Sequence, residues 1–149
     1  IKYKGDKWPA QELGSLLGIR LKSSGLALPD WDCIVPVPLH PSKLRLRAYN
    51  QSAVFAAGLS ESLGIPVITN ALRRTSKGES QASQGREDRL TNIFRAFEAN
   101  QQDQIKGKHI LLADDVLTTG ATLESCSGIL LQHGAKKVSL GLIAVAVQY

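Results

Sequence analysis

Asp114 and Asp115 stand side by side at the end of an apolar run, and Thr118-Thr119-Gly120-Ala121-Thr122 follow almost at once. The stretch reads HILLADDVLTTGATLESC, residues 109–126. Adjacent carboxylates cannot bind a phosphate, because like charges repel. They can accept hydrogen bonds from vicinal hydroxyls. Thr118, Thr119 and Thr122 are hydroxyl donors, and Gly120 lets backbone come close to a ligand. If a helix begins near Gly120, its unpaired N–H groups and partial positive charge suit a phosphate. Phosphate donors beside diol acceptors describe a 5-phosphoribosyl group. Each feature also has a plain structural reading: an acid before a helix is often an N-cap, and a Thr/Gly run is often only a turn. A Walker-type phosphate loop is excluded, since no lysine follows the glycine.

The elements that must position these residues are legible in the patterning. HILLAD (109–114) reads as a buried strand ending at Asp114, with a turn over 115–119. Thr119 to Gln132 reads as a helix with Leu123, Cys126 and Leu130 on one side, closing near His133-Gly134. CIVPVPL (33–39) is a β-branched run closed by prolines, hence a strand entering a loop. Residues 8–22 place Trp8, Leu13, Leu16, Leu17 and Leu21 on one predicted apolar helix face. Phe55, Leu59 and Leu63 predict a helix over 51–63, ended by Gly64-Ile65-Pro66. PVITNALRR, IFRAFE and KVSLGLIAVAV read as further strands. Residues 40–50 are basic and proline-punctuated, and read as loop. Residues 75–92 carry almost no apolar side chain, and read as a disordered stretch or a lid. Strands alternating with helices predict an α/β fold with a mainly parallel central sheet flanked by helices.

Composition narrows the partners. The chain has 149 residues, enough for one domain over 1–149. Its net charge of +5 suits an anionic partner: phosphate, pyrophosphate or nucleic acid. One basic cluster is Lys43, Arg45 and Arg47; a second is Arg73, Arg74 and Lys77, with Arg86 and Arg89 behind it. Tyr49 is the only aromatic within either basic loop, which weakens single-stranded nucleic-acid stacking. Cys33 and Cys126 sit in apolar segments and read as buried thiols rather than a disulfide. His40, His109 and His133 are scattered, so no protein zinc site is expected within these residues. No apolar run approaches the ~20 residues of a membrane span. With no signal peptide in IKYKGDKWPA, the expected location is cytoplasmic. There is no Met in the chain, and a segment upstream of residue 1 is expected.

The thirteen residues ILLADDVLTTGAT resemble the phosphoribosyl-diphosphate (PRPP) signature of type I phosphoribosyltransferases: apolar strand, two acids, two residues, two hydroxyls, Gly, any residue, hydroxyl. IKYKGD, VPVPLHPSKLRLRAYNQS (35–52) and the set Gln81, Arg89, Asn92, Ala96 and Phe97 are similar to the ComF family, phosphoribosyltransferase-like proteins tied to DNA uptake and natural competence. One departure is Gly78, where the family pattern has Thr. The resemblance implies a type I phosphoribosyltransferase-like fold. It implies Asp114 and Asp115 as the catalytic acids, with Mg²⁺ reaching them through PRPP, and Thr118, Thr119, Gly120, Ala121 and Thr122 as the 5′-phosphate site. Lys43, Arg45 and Arg47 become candidates for pyrophosphate, and Arg86 and Arg89 for a lid. Family members commonly carry a four-cysteine zinc element, which would lie upstream of residue 1. Three readings follow: an active phosphoribosyltransferase, a PRPP sensor without turnover, or an adaptor for single-stranded DNA or competence-machinery proteins. A homodimer is an expected assembly.

Overall fold

The computed structural model describes residues 8–75, 96–100, 102–117 and 120–145. The elements run α1 (Trp8–Ser23), β1 (Cys33–Pro36), α2 (Pro41–Arg47), α3 (Gln51–Leu63), β2 (Leu72–Arg74), β3 (Phe97–Ala99), α4 (Gln102–Ile105), β4 (His109–Leu117), α5 (Ala121–Gln132) and β5 (Lys137–Val145). Strands β1, β4 and β5 form a parallel sheet with β4 in the centre. An isolated parallel bridge between Ile34 and Val67 extends it on the β1 side. β2 and β3 pair separately and antiparallel.

Alternation along the strands divides the core. Ile34, Leu111 and Ala113 face α1 and α3, where Ala10, Phe55, Ala56 and Leu59 are buried. Cys33, Val35, Ile110 and Leu112 face the other way, onto Leu123, Cys126 and Leu130 of α5 and onto Leu72 and Phe97 of the small sheet. This period-two partition is what a parallel sheet covered on both faces requires.

Three expectations are corrected. Residues 41–47 are helical: Pro41 takes the first helical position, where its missing N–H is harmless, His40 Nδ1 accepts from Ser42 N at 3.1 Å, and Ala48 closes the helix at φ 65°. No residue of α2 is buried, so no apolar periodicity announced it. The predicted apolar stripe of α1 is split: Leu13 and Leu16 are exposed, while Leu17 packs against the core. α1 instead packs through Ala10, Gly14 and Gly18. A Cβ on Gly14 would collide with Phe55 O, and one on Gly58 with Gln11 O, so the two backbones touch where only glycine fits. Gly14 lies by Gly58 and Gly18 by Ser62, so α1 and α3 run in the same sense. Finally, β4 does not end at Asp114. Val116 and Leu117 continue its pairing with Ala144 and Val145.

Candidate functional site

The carboxyl ends of β1 and β4 open into one cavity of about 160 Å³. It is lined by Val37, Pro38, Leu39, Arg47, Asn50, Gln51, Ser52, Arg74, Asp114, Asp115 and Thr122. This is where ligands bind in open parallel α/β sheets. Each wall comes from a different element. Val37 to Leu39 follow β1, Arg47 ends α2, and Asn50 to Ser52 begin α3. Arg74 ends β2, the aspartates lie in β4, and Thr122 is in the first turn of α5.

The start of α3 is built from side chains. Asn50 Oδ1 accepts from Ser52 N at 3.1 Å, capping the helix. Its Nδ2 donates to Val37 O at 2.9 Å, which ties the helix start to the loop after β1. Ser52, itself buried, donates its hydroxyl to Asp114 Oδ1 at 2.9 Å. The same oxygen accepts from Asp115 N at 2.8 Å. Burial, then hydrogen bonding with the neighbouring Asp115 carboxyl, push the Asp114 carboxyl up to about 6; the Ser52 hydroxyl and the Asp115 N–H pull the other way. Asp114 is therefore a buried acid whose charged form is held at some cost.

Across the cavity stand two cations. Arg74 lies with its guanidinium 5.4 Å from the Phe97 ring centroid, a cation–π distance that fixes its direction. Its neighbour Arg73 points to the other face of β2 and pairs with Glu98 at 2.6 Å in the open. Arg47 approaches from the end of α2. At the remaining corner α5 begins at Gly120, with φ 81° and no side-chain cap.

The structure thus gathers Asp114, Asp115, Thr122 and Arg47 from the sequence-stated candidates. Gly120 and Ala121 stand at the adjoining helix start. Lys43 and Arg45 are exposed on α2 and do not line the cavity, whereas Arg47, the last residue of that helix, does. Thr118, Thr119, Arg86 and Arg89, with nearly all of the 75–92 stretch, lie outside the described residues. Sequence reading left out Arg74, Ser52, Asn50 and Gln51. Strand alternation in Leu72-Arg73-Arg74 was the available signal for Arg74: adjacent residues must face opposite ways.

The model of the phosphoribosyl transferase domain matches residues 50–147, from the cap of α3 to the end of the sheet. The chain belongs to that family. Within the phosphoribosyltransferases it is of the ComF type. It is 30% identical over 151 residues to competence protein F of Haemophilus influenzae, which covers 98% of this chain and 65% of that protein. It is 33% identical over 119 residues to the DNA utilization protein YhgH of Escherichia coli, covering 80% of this chain and 51% of that one. The chain therefore spans between half and two thirds of the length of these two relatives. Among solved structures, a purine phosphoribosyltransferase from Pyrococcus horikoshii superposes with a TM-score of 0.55 at 20% identity, over 93% of this chain and 74% of that one. That likeness places the ComF-type chain in the phosphoribosyltransferase fold.

Proposed function

We propose that this domain binds PRPP in the cavity at the carboxyl ends of β1 and β4, and that it transfers the 5-phosphoribosyl group to a nucleophile in the context of DNA uptake or use. One observation carries the reading: Asp114, Asp115 and Thr122 of the strand–turn–helix stretch share a cavity with Arg47 and Arg74, which come from distant parts of the chain. Acids for the ribose hydroxyls, a helix start for the 5′-phosphate and cations for the pyrophosphate are the three parts this ligand needs. We assign Thr118 and Thr119, with Thr122, to recognition of the 5′-phosphate, and Lys43 and Arg45, outside the cavity, to attraction of the pyrophosphate. The cavity's 160 Å³ is below the ~300–1,000 Å³ of pockets that enclose a whole ligand, and suits the sugar with its nearest substituents. The names of the two relatives supply the DNA context.

Among the described residues, no group of three or more His, Cys, Asp or Glu could hold a metal ion. Two adjoining carboxylates still offer hard oxygen donors, as Mg²⁺ prefers, provided the ligand's own oxygens complete the sphere. Mg²⁺ bound in that way supplies charge neutralisation at the pyrophosphate. The protein's own share is electrostatic. In transfer, the nucleophile bonds to the anomeric carbon as its bond to the pyrophosphate oxygen breaks, so positive charge grows on the sugar and negative charge on the leaving group. Asp114 and Asp115 face the first charge, and Arg47 and Arg74 the second.

A thermal-shift titration with PRPP and Mg²⁺, against ribose 5-phosphate and pyrophosphate, tests binding, since a ligand of the folded state raises the melting point by mass action. No shift at millimolar PRPP would sink the reading. Pyrophosphate release across nucleobases, small amines and single-stranded DNA, with Asp115→Asn as blank, tests turnover. Binding without release above that blank would leave a sensor, not an enzyme.

A further inference from the structure

The outer face of α1 is apolar, exposed and, with its charges, self-complementary. Leu13 is 46% exposed, Leu16 54% and Ile19 54%, all on the side away from α3. At 100° per residue, Pro9, Glu12, Leu13, Leu16, Ile19, Arg20 and Ser23 share one face, and Ala10, Gly14, Leu17, Gly18 and Leu21 the opposite one. The second group is the set packed on α3 or half-buried beside it. Lys22 is turned toward α3, where its Nζ donates to Ser62 O at 3.2 Å. Glu12 and Arg20 are exposed, and among the described residues neither has an ion-pair partner.

The positions of this face are symmetric about Leu16, apolar mirrored by apolar and acid by base. Glu12 lies four residues before it and Arg20 four after; Leu13 lies three before and Ile19 three after. If two such helices are laid antiparallel about a two-fold axis at Leu16, Leu16 meets Leu16 and Leu13 meets Ile19. Glu12 meets Arg20 at both ends. An isologous interface demands this self-complementarity, with residue i on j and j on i. We propose that the outer face of α1 pairs with the same face of a second copy of this chain, making an antiparallel two-fold helix pair centred on Leu16. The helix is 16 residues, roughly 24 Å long. A contact along it alone falls short of the ~1,200 Å² of a standard interface, so the dimer is weak and concentration-dependent.

The charges make the test specific to self-pairing. Sedimentation equilibrium of the full-length protein, from low micromolar to high concentration, is expected to show a monomer–dimer equilibrium. Leu16→Glu should leave a monomer throughout with an unchanged melting point, because the side chain is exposed. Glu12→Arg and Arg20→Glu should each weaken the dimer by about tenfold or more, since each places like charges at both ends. The double variant, Glu12→Arg with Arg20→Glu, should restore it. A wild-type protein that stays monomeric, a dimer that Leu16→Glu leaves intact, or a double variant no better than the singles would each overturn the proposal.

Discussion

Two helices begin on the rim of the same cavity, and they begin differently. α3 is closed at its start by its own chain: Asn50 caps Ser52 N and holds Val37 O, while Ser52 reaches down to Asp114. α5 begins on Gly120 in a left-handed conformation, and its cap residue has no side chain to contribute. Both starts face the unsatisfied N–H groups that every helix has. One solves the problem inside the fold. The other has no capping side chain, and its first turn brings Thr122 to the cavity wall, so the positive end of the helix lies where an anionic ligand can use it. Substitutions at the closed start should therefore be felt as stability, and those around the open start as binding.

Asp114 lies between the two starts and gives the largest expected effect. Asp114→Asn keeps an oxygen for Ser52 and for Asp115 N but removes the charge. PRPP affinity should fall by tenfold or more, read by titration calorimetry with Mg²⁺ present. Stability should rise instead. The folded acid titrates at about 6 against 3.8 unfolded, so the folded state holds the proton more tightly. The wild type then loses stability as pH climbs from about 4 to 6, by on the order of 1–2 kcal/mol once solvent screening is allowed for, and the loss is complete above 6. The melting point of the variant should accordingly pull ahead of wild type across that window and keep a constant lead above it. Equal melting points at pH 4 and pH 8 would contradict the buried-acid account.

Arg74 and Arg73 sharpen the contrast next. Arg74→Ala removes a cation from the cavity wall, and PRPP binding should weaken by about tenfold. Arg73→Ala breaks only an exposed pair with Glu98 and should change stability by under about 1 kcal/mol and binding not at all. Equal binding by both variants would remove Arg74 from the site. Asn50→Ala should cost about 1–2 kcal/mol in urea unfolding, since it deletes a cap and a tether together. Binding by the protein that remains folded should change less than with Arg74→Ala. Among the cavity-lining residues the smallest effect on binding belongs to Thr122→Val: stability near wild type, with PRPP affinity lowered several-fold, as for one lost hydrogen bond worth about 1 kcal/mol.

What could be read ahead of the structure followed physical rules that act locally. The β4 strand, the start of α5 at Gly120 and the burial of Cys33 and Cys126 all rest on patterning within a few residues. The aspartates were legible as a pair, but not the depth of Asp114: it sits inside a strand that goes on to pair through Val116 and Leu117, under a serine sixty-two residues away. Strand alternation sets Arg73 and Arg74 on opposite faces, but which of them meets the site depends on the tertiary placement of β2 beside β3. α1 misled because leucines normally mark the buried face. Here Gly14, Gly18 and Gly58 let two backbones touch, and close contact along the glycine face outweighed the leucine stripe.

The two cysteines give the molecule a built-in clock. They are the only thiols in the chain, and both are buried with free sulfhydryls. Burial holds both above the ordinary thiol range, and takes Cys126, in the second turn of α5, up to about 12. A thiol reagent in water therefore has almost no thiolate to attack while the fold is shut. Each labelling event must wait for the chain to open, so the rate of dye uptake measures opening, not the reagent. Cys126 times the part of the sheet's cover that carries the open helix start, and Cys33 times the first strand. A ligand seated at that helix start should slow the first of these more than the second, and the difference can be followed on unmodified protein.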